Sequence, residues 1–343
     1  MKTPKVSIIV PVYGVERYIE RCAVSLFEQT YPNIEYVFVN DATPDNAVAV
    51  LEQVIARYPN RRSDVRLVNH PQNRGISATR NTGLKAVTGD FILYVDSDDY
   101  LALHAIEHLV NKSVETDADI VLFDTNVITQ KGVNHECVEY EGKEQYIKRL
   151  LQHTAKCAHW NKFYKSAFYL SIGILADESI RLADDYAVTP RIVHNARKIA
   201  VLHEPLYFYE TTNQSSYVHN LTRAAIESQF AADSILIGYF SNVPDAADYA
   251  DVVEAIPQRT MVSLVKKSST DTWPDIFDVY RQCRTQKTAK GMTMVNKVIF
   301  RLIQRNRLVS LKLFLRFYHF VMHDNYYFFA RQLQIIQFAE CPK

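Results

Sequence analysis

The chain contains 343 residues, of which 48% are hydrophobic and 22% are charged, and its formal net charge is +1. This length and composition are typical of a globular protein with one large domain and an appendage, or with two domains. The balanced charge gives no indication of nucleic acid binding. No stretch reaches the ~18 uninterrupted apolar residues of a spanning helix, and the first apolar run is too short for a signal peptide. We therefore expect a cytoplasmic protein.

The first part of the chain alternates between two kinds of segment. Short runs rich in β-branched and aromatic residues are separated by segments with the spacing of amphipathic helices. The strand-like runs are VSIIV, IEYVFVN, VRLVN and FILYV, and the helix-like segments are ERYIERCAVSLFEQ, PDNAVAVLEQVIARY and SATRNTGLKAV. This alternation predicts a Rossmann-like α/β fold, in which a mostly parallel sheet has helices on both faces.

Carboxylates follow two of these predicted strands at the points where the strands end. Asp41 follows the second strand, and Asp96, Asp98 and Asp99 follow the fourth. Ligands of parallel α/β sheets bind beyond the carboxyl ends of the strands, so a site is expected here. Two carboxylates held ~4 Å apart repel by about 4 kcal/mol at an effective dielectric constant of about 20. The cluster after the fourth strand is therefore predicted to bind a cation.

A second acidic pair lies further along the chain. Asp184 and Asp185 occur in ESIRLADDYAVTPRIV, which precedes the strand-like run KIAVLH and the aromatic run PLYFYE. Beyond these runs the strand signals fade and longer helical patterns replace them. We place the domain boundary near His219, and predict a nucleotide-binding domain of residues 1–218 followed by a helical region of residues 219–343.

Several separated motifs, taken in order, resemble those of the family 2 glycosyltransferases of the GT-A fold, of the type that builds bacterial surface polysaccharides. The motifs are VSIIVPVYGVERYIERCAVSLFEQTYPNIEYVFVNDATPDN, NRGISATRNTGLKAVTGDFILYVDSDDY, WNKFYKS and RLADDYAVTPR. Their combination is specific, whereas an Asp-x-Asp motif alone is a weak signal. The resemblance implies an inverting transfer of a sugar from a nucleotide sugar, expected to be a UDP-sugar, to a hydroxyl group of a glycan acceptor.

The resemblance also implies a role for individual residues. The donor-binding residues would be Pro11, Val12, Tyr13, Asp41, Arg80, Asn81 and Asp96. The first three would line the base, Asp41 would hydrogen-bond to the uracil ring, and Asp96 would bind the ribose. Asp98 would bind a Mn²⁺ or Mg²⁺ cofactor, and Asp185 would be the catalytic base.

Two positions depart from the family pattern. The turn ATPDN after Asp41 lacks the glycine that is often found there, and Glu210 follows Tyr209 where the family often has an arginine. Without that arginine, the metal ion, Arg80 and His219 remain as alternatives for neutralising the pyrophosphate.

The chemistry of the reaction supports the roles of two carboxylates. A divalent ion held by Asp98 would stabilise the negative charge that develops on the leaving nucleoside diphosphate. The acceptor hydroxyl, whose pKa lies far above neutrality, needs a base such as Asp185. Each carboxylate can instead cap the N-terminus of a helix. Of the acidic pair, we expect Asp184 to have the structural role and Asp185 the chemical one.

Three further side chains are candidates for the site. Trp160, in HWNKFYKS, can stack on the acceptor sugar, although a role in the core explains it nearly as well. His203, at the end of KIAVLH, can contact the metal ion or the pyrophosphate, but a structural hydrogen bond is the commoner role of such a histidine. Asp184 is a weak candidate for contact with the acceptor.

Other functions fit parts of the pattern. A sugar nucleotidyltransferase would share the sheet and the Asp-x-Asp motif, but it needs a glycine-rich loop after the first strand, where VPVYGVERYIE has a single glycine. A dehydrogenase is excluded on the same ground. The alternative from another class is an inactive carbohydrate- or partner-binding module. The joint presence of Asp41, Asp96, Asp98 and Asp185 favours an active enzyme.

The C-terminal region is strongly basic. No acidic residue lies between Asp278 and Asp324, and the ten basic residues there are Arg281, Arg284, Lys287, Lys290, Lys297, Arg301, Arg305, Arg307, Lys312 and Arg316. Such a charge beside an apolar face is typical of helices that lie in a membrane interface. Residues 281–323 are therefore predicted to bind an anionic membrane at its inner face, where the acceptor would be a lipid-linked saccharide.

The alternative is a packing element whose basic face is solvated. The apolar residues predicted to lie opposite the basic ones are Ile299, Phe300, Ile303, Leu311, Phe314, Phe317 and Tyr318. Asn306, Arg307 and Ser310 interrupt the apolar pattern, which predicts two shorter helices.

Overall fold

The computed structural model describes residues 3–213, 221–283 and 294–319. The chain divides into two compact units, residues 1–220 and residues 221–343. His219, where the sequence analysis places the domain boundary, lies outside the described residues, as do Arg284, Lys287, Lys290 and residues 320–323.

The first unit alternates strands and helices. Its strands are β1 (Val6–Val12), β2 (Ile34–Asn40), β3 (Val65–Asn69), β4 (Phe91–Tyr94), β5 (Tyr100–Leu101), β6 (Ile120–Thr129), β7 (Gly132–Glu136), β8 (Lys162–Lys165) and β9 (Ile199–Glu210). Its α-helices are α1 (Ile19–Phe27), α2 (Ala47–Arg57), α3 (Ile76–Ala86), α4 (Ala105–Thr116), α5 (Lys143–Leu151), α6 (Ser166–Ser171) and α7 (Asp184–Asn195), and a 3-10 turn spans Arg62–Asp64.

Within the described residues, nine strands form one sheet in the order β3-β2-β1-β4-β8-β6-β9-β5, with β7 paired to β6. Strands β1, β2, β3 and β4 are parallel, and β6 is parallel to β9. Strand β8 lies between the two groups and is antiparallel to both β4 and β6. Six strands therefore run in one direction, so the expectation of a mostly parallel sheet is confirmed.

Helices cover both faces of the sheet, as predicted. On one face, Ile8 and Val10 of β1 share a core with Leu26 of α1 and Leu51 of α2. On the other face, helix α3 packs very closely on β1, because a Cβ atom added at Gly83 would lie 2.3 Å from Cγ2 of Ile9. Only glycine permits this approach. The close packing sets the distance between the sheet and the side chains that α3 carries.

The second unit is helical. Its helices are α8 (Arg223–Phe240), α9 (Ala246–Val253), α10 (Ile256–Lys267), α11 (Trp273–Gln282), α12 (Met294–Gln304) and α13 (Leu308–His319). Their apolar faces form a common core that includes Phe230, Met261 and Ile276. Among the described residues, no helix is both long and apolar enough to cross a membrane.

One carboxyl group is buried in this second unit without full compensation. Asp233 of α8 is 1% exposed, and the Thr260 hydroxyl donates a hydrogen bond of 2.9 Å to its Oδ1. Its Oδ2 has no hydrogen-bond partner among the described residues. Burial raises the pKa of Asp233 to about 8, although the Thr260 hydrogen bond opposes the shift.

This raised pKa predicts that the stability of the protein falls with rising pH. The unfolded chain releases the Asp233 proton near pH 4, whereas the folded chain holds it until about pH 8. The free energy of unfolding is therefore highest at low pH and falls as the pH rises from about 4 to about 8. Asp233→Asn should remove the dependence and increase the free energy of unfolding at pH 8. The expected gain is about 1.4 kcal/mol for each pH unit that separates the folded and unfolded pKa values.

Urea denaturation of wild type and Asp233→Asn at pH 5, 6.5 and 8 measures the effect. Asp248→Asn, at an exposed acidic position of α9, is the control and should leave the pH dependence unchanged. If Asp233→Asn were less stable than wild type at pH 8, the prediction would be wrong, because the core would then tolerate the charged carboxylate.

Candidate functional site

The carboxyl ends of β1, β2 and β4 meet at one edge of the sheet. Strand β1 lies between the other two, and the backbone amide of Asp41 donates to the carbonyl of Val12 at 3.1 Å. The amide of Val95, just before Asp96, donates to the carbonyl of Ile9 at 2.9 Å. The acidic residues predicted to share a site are therefore on neighbouring strand ends.

The residues predicted to contact the base follow the end of β1. Pro11 and Val12 are buried in the sheet, whereas Tyr13 is 38% exposed directly after it. An exposed aromatic side chain beside the end of a strand can stack on a flat ring. Of these three residues, Tyr13 presents the side chain that a base can reach most directly.

Asp41 anchors the turn that leads into α3. One of its oxygens accepts hydrogen bonds from the amide of Arg74 at 2.8 Å and from the ring of His70 at 2.7 Å, and the other accepts one from the amide of Gly75 at 2.8 Å. Gly75 has a φ of +89°, which favours glycine. Asp41 is 2% exposed, so it has a structural role that the sequence pattern did not indicate.

Arg80 of α3 stands at the centre of the site. Its Nη1 donates hydrogen bonds of 2.5 Å to Asp184 Oδ2 and 2.5 Å to Asp185 Oδ1, and its Nη2 donates one of 3.0 Å to Asp96 Oδ1. The guanidinium is buried, with 7% of the side chain exposed. One arginine thus joins the acidic cluster after β4 to the acidic pair at the start of α7.

The segment before α7 is held in place by α3. The amide group of Asn81 donates to the carbonyl of Ala176 at 2.9 Å and accepts from the amide of the same residue at 3.0 Å. The hydroxyl of Ser77 donates to the carbonyl of Ile180 at 2.5 Å. Asn81 is buried, so these contacts favour an anchoring role over the donor contact that the family resemblance implies.

The last two carboxylates after β4 have different environments. Asp99 is fully buried and accepts hydrogen bonds from the hydroxyl of Tyr207 at 2.6 Å and from the amide of Glu210 at 2.7 Å. Asp98 accepts a hydrogen bond of 2.9 Å from the Asn213 side chain and is partly exposed. Asp99 therefore supports the fold, and Asp98 is the more accessible carboxylate.

Arg21 of α1 belongs to the site, although the sequence motifs did not indicate it. Its Nη2 donates to the backbone carbonyl of Asp98 at 2.9 Å and to Glu210 Oε2 at 3.1 Å, and its guanidinium lies 4.6 Å from the centre of the Tyr100 ring. Glu210, the last residue of β9, stands where the family often has an arginine and is thus paired with an arginine from helix α1. The glutamate at position 210, in place of the family's arginine, was the feature of the sequence that could have indicated a basic partner such as Arg21.

The cluster carries more negative charge than Arg80 can neutralise. Three carboxylates contact this guanidinium, those of Asp96, Asp184 and Asp185, and the carboxylates of Asp98 and Asp99 lie close enough to Asp96 to interact with its charge. Burial raises the pKa of Asp98, and the neighbouring Asp96 carboxylate adds to the effect. Burial also raises the pKa of Asp185, with Arg80 opposing and Asp184 adding to the shift. A bound divalent cation would relieve this repulsion, and carboxylate oxygens are the ligands that Mg²⁺ and Mn²⁺ prefer.

His159 is a second site residue that the sequence motifs did not indicate. Its Nε2 lies 3.5 Å from Asp185 Oδ1, and its Nδ1 lies 3.3 Å from the hydroxyl of Tyr164. The ring is 2% exposed, and burial lowers the pKa of His159 well below its usual value, so the ring is neutral. Its position next to Trp160 in the HWNK motif was the available signal.

Two other candidates have contacts outside the acidic cluster. Trp160 is 5% exposed and stacks on Tyr207 and Tyr209, with ring centres 4.6 and 5.1 Å away, which favours its role in the core. The Nδ1 of His203 lies 3.3 Å from Asp124 Oδ1, so a structural contact accounts for it.

Comparisons with known proteins identify relatives of the chain. The profile of the family described as "Glycosyl transferase family 2" matches residues 7–168. The chain is 31% identical over 241 residues to the "Putative glycosyltransferase EpsH" of Bacillus subtilis (strain 168). This match covers 67% of each chain. It is 32% identical over 220 residues to the "Uncharacterized glycosyltransferase EpsJ" of the same organism, and this match covers 62% of each chain. The chain thus spans less than two thirds of EpsJ.

Solved structures show the same fold. The crystal structure of Staphylococcus aureus TarS 1–349 in complex with UDP-GlcNAc superposes with a TM-score of 0.72 at 19% identity, over 92% of this chain and 91% of that chain. The mannosyltransferase PcManGT from Pyrobaculum calidifontis, in complex with GDP-Man and Mn²⁺, gives a TM-score of 0.52 at 15% identity, over 95% and 89% of the two chains. The α/β sheet with its helical C-terminal region, the family profile and the similarity to EpsH together establish that the chain belongs to glycosyltransferase family 2 and has the GT-A fold, as its sequence motifs predicted.

Proposed function

We propose that the chain is an inverting, metal-dependent glycosyltransferase that transfers a sugar from a UDP-sugar to a hydroxyl group of a glycan acceptor in the synthesis of a bacterial surface polysaccharide. The observation that carries this proposal is the Arg80 guanidinium, which holds Asp96 and Asp185 in one cluster at the end of the parallel strands. Asp96 belongs to the predicted donor side, and Asp185 is the predicted base.

The relatives support a UDP-sugar as the donor. The poly(ribitol-phosphate) β-N-acetylglucosaminyltransferase TarS of Staphylococcus aureus (strain Mu50 / ATCC 700699) is 27% identical over 216 residues, which are 62% of this chain and 37% of TarS. Structures of TarS contain UDP and UDP-GlcNAc. We propose that the acceptor is lipid-linked and that the enzyme works in the cytoplasm, at the inner face of the membrane.

The donor would lie across the ends of β1, β2 and β4. Pro11, Val12 and Tyr13 would line the base, with the exposed Tyr13 ring against its flat face. Asp96, whose side chain is 27% exposed, would accept hydrogen bonds from the ribose hydroxyls while Arg80 holds its Oδ1. Arg80 would therefore fix the orientation of this carboxylate more than it would bind the donor itself.

Asp98 would hold the divalent cation, Mn²⁺ or Mg²⁺. The raised pKa of Asp98, which comes from burial and from Asp96, supports this assignment because a bound cation would favour the charged carboxylate. When bound, the ion would stabilise the charge on the leaving diphosphate. Arg21 and Asn213 would hold the backbone and the side chain of Asp98 in position for this ligand role.

Asp185 would take the proton from the acceptor hydroxyl. Its Oδ1 accepts the hydrogen bond from Arg80 and lies beside His159. Its Oδ2 takes part in no hydrogen bond with any described residue, and 25% of the side chain is exposed. We assign the proton transfer to Oδ2. A single base acting in one displacement gives inversion at the anomeric carbon, and Asp184, which is buried on the same guanidinium, would position Asp185.

A thermal-shift panel tests the donor assignment. The melting temperature would be measured with UDP-, GDP- and dTDP-sugars, each with Mn²⁺ and with a chelator, because a selectively bound ligand stabilises the folded protein by mass action. We expect stabilisation by a UDP-sugar that requires Mn²⁺. Equal shifts for all three nucleotide classes, or no shift with any of them, would contradict the assignment.

A further inference from the structure

Helices α12 and α13 have one apolar side that packs into the second unit. Ile299, Phe300, Leu311 and Leu315 are between 0% and 6% exposed and belong to the core of this unit. These contacts agree with the packing alternative raised by the sequence. They account for only part of the apolar surface of α13.

A second apolar row on α13 faces the solvent. Val309, Leu313 and Phe317 are 76%, 60% and 64% exposed. Residues four positions apart lie on the same side of a helix, so the three side chains form a continuous row. A contiguous exposed apolar surface of this kind marks a site of interaction with a partner or a membrane.

The exposure of Phe317 separates it from the buried Ile299, Phe300 and Leu311, with which the sequence pattern grouped it on one apolar side opposite the basic residues. The grouping of Phe317 with these residues holds only if the helical spacing continues without a shift from α12 into α13. The helix is interrupted between α12 and α13, where Asn306 has a φ of +51°. The two helices predicted from this break are present. Because α13 starts anew at Leu308, its buried residues are Leu311 and Leu315, and Phe317 turns outward.

The charges beside this row are all positive. Lys312 and Arg316 immediately precede Leu313 and Phe317, so they flank the row, and both are exposed. Arg301, Arg305 and Arg307 are also exposed nearby along the chain. No ion pair within the described ranges involves these five residues, and the sequence offers no acidic residue between Asp278 and Asp324. The surface is therefore complementary to a partner that is apolar and anionic together.

We propose that the outer face of α13, formed by Val309, Lys312, Leu313, Arg316 and Phe317, inserts into the interfacial layer of an anionic lipid membrane. The apolar row enters the boundary between headgroups and acyl chains, and the two basic side chains contact anionic headgroups. The inference rests on the proposed work of the enzyme at a membrane, and it names the surface that makes the contact.

Vesicle sedimentation with the full chain tests this surface without donor or acceptor, so a failure here is distinguishable from a failure of the transfer reaction. The vesicles are phosphatidylcholine alone, and phosphatidylcholine with phosphatidylglycerol, at low and high salt. We expect binding to the anionic vesicles only, weakened by salt.

Leu313→Ser/Phe317→Ser should lower that binding at least tenfold. Lys312→Gln/Arg316→Gln should weaken it and reduce its salt dependence, whereas Lys312→Arg/Arg316→Lys should retain it.

The matched control is Val114→Ser/Leu170→Ser, which removes two apolar side chains that are 59% and 50% exposed in the first unit. It should bind vesicles as wild type does. Equal binding by wild type and Leu313→Ser/Phe317→Ser would overturn the proposal. So would a full chain that binds no vesicles while a chain ended at His319 does, since the following residues would then cover the row. Loss of a dimer in Leu313→Ser/Phe317→Ser, without membrane binding by wild type, would make the row an interface between two copies.

Discussion

Asp185→Asn is expected to retain the affinity for the UDP-sugar and to lower turnover by about 10²-fold or more. The substitution removes the carboxylate that would accept the acceptor proton, while the asparagine oxygen can still accept the Arg80 hydrogen bond. Donor affinity should persist because the predicted donor contacts are made by other residues. Calorimetry with UDP gives the affinity, and the rate of sugar transfer gives the turnover.

Two neighbouring carboxylates provide the comparison. Glu178→Gln alters an exposed residue that pairs with Arg74 at 2.6 Å, and it should leave turnover near the wild-type rate. Asp184→Asn removes a buried partner of Arg80, so it should lower stability as well as rate. If Asp185→Asn transferred sugar at close to the wild-type rate, the base would have to be Asp184 or Glu178.

The pH dependence of turnover gives an independent check on Asp185. A general base acts only when it is deprotonated, and burial raises the pKa of Asp185 above its usual value. Turnover of the wild type should therefore rise with pH through that raised pKa. The residual activity of Asp185→Asn should lack this rise.

Asp98→Asn is expected to abolish the Mn²⁺-dependent part of UDP binding while the protein folds normally. The Asp98 carboxylate is the proposed metal ligand, and its Asn213 contact can be kept by the amide oxygen. Removing its charge should also relieve the cost of burying this carboxylate and its repulsion with Asp96, the two effects that raise the pKa of Asp98. Calorimetry of UDP with and without Mn²⁺, together with the melting temperature, measures both effects.

The adjacent Asp99 is the matched control for this experiment. It is fully buried on Tyr207 and the amide of Glu210, so Asp99→Asn should lower the melting temperature. The two variants should therefore separate metal binding from folding. Unchanged Mn²⁺-dependent UDP binding in Asp98→Asn would exclude Asp98 as the ligand.

The parts of the fold that depend on local patterns were predictable from the sequence. The runs VSIIV, IEYVFVN, VRLVN and FILYV coincide with β1 to β4, because strand and helix periodicities depend on residues close together in the chain. The rule that ligands bind at the ends of parallel strands then indicated the position of Asp41 and Asp96.

The contacts within the site could not be predicted from local pattern. Arg80 meets Asp184 and Asp185 across more than a hundred positions of sequence, and no periodicity records such a pairing. The roles of Asn81 and Trp160 depend on burial, which follows from packing between distant segments. The orientation of Phe317 depends on where α13 begins, and one residue of displacement turns a helical side chain by about 100°.

The most direct test of the proposed function is the release of UDP from a panel of UDP-sugars by the full chain, measured with Mn²⁺ and with a chelator. We expect release from at least one UDP-sugar that requires Mn²⁺ and is about 10²-fold slower or more in Asp185→Asn. Binding of UDP without release from any UDP-sugar would contradict the proposed function and indicate an inactive binding module. Formation of a UDP-sugar from UTP and a sugar phosphate would instead indicate a nucleotidyltransferase.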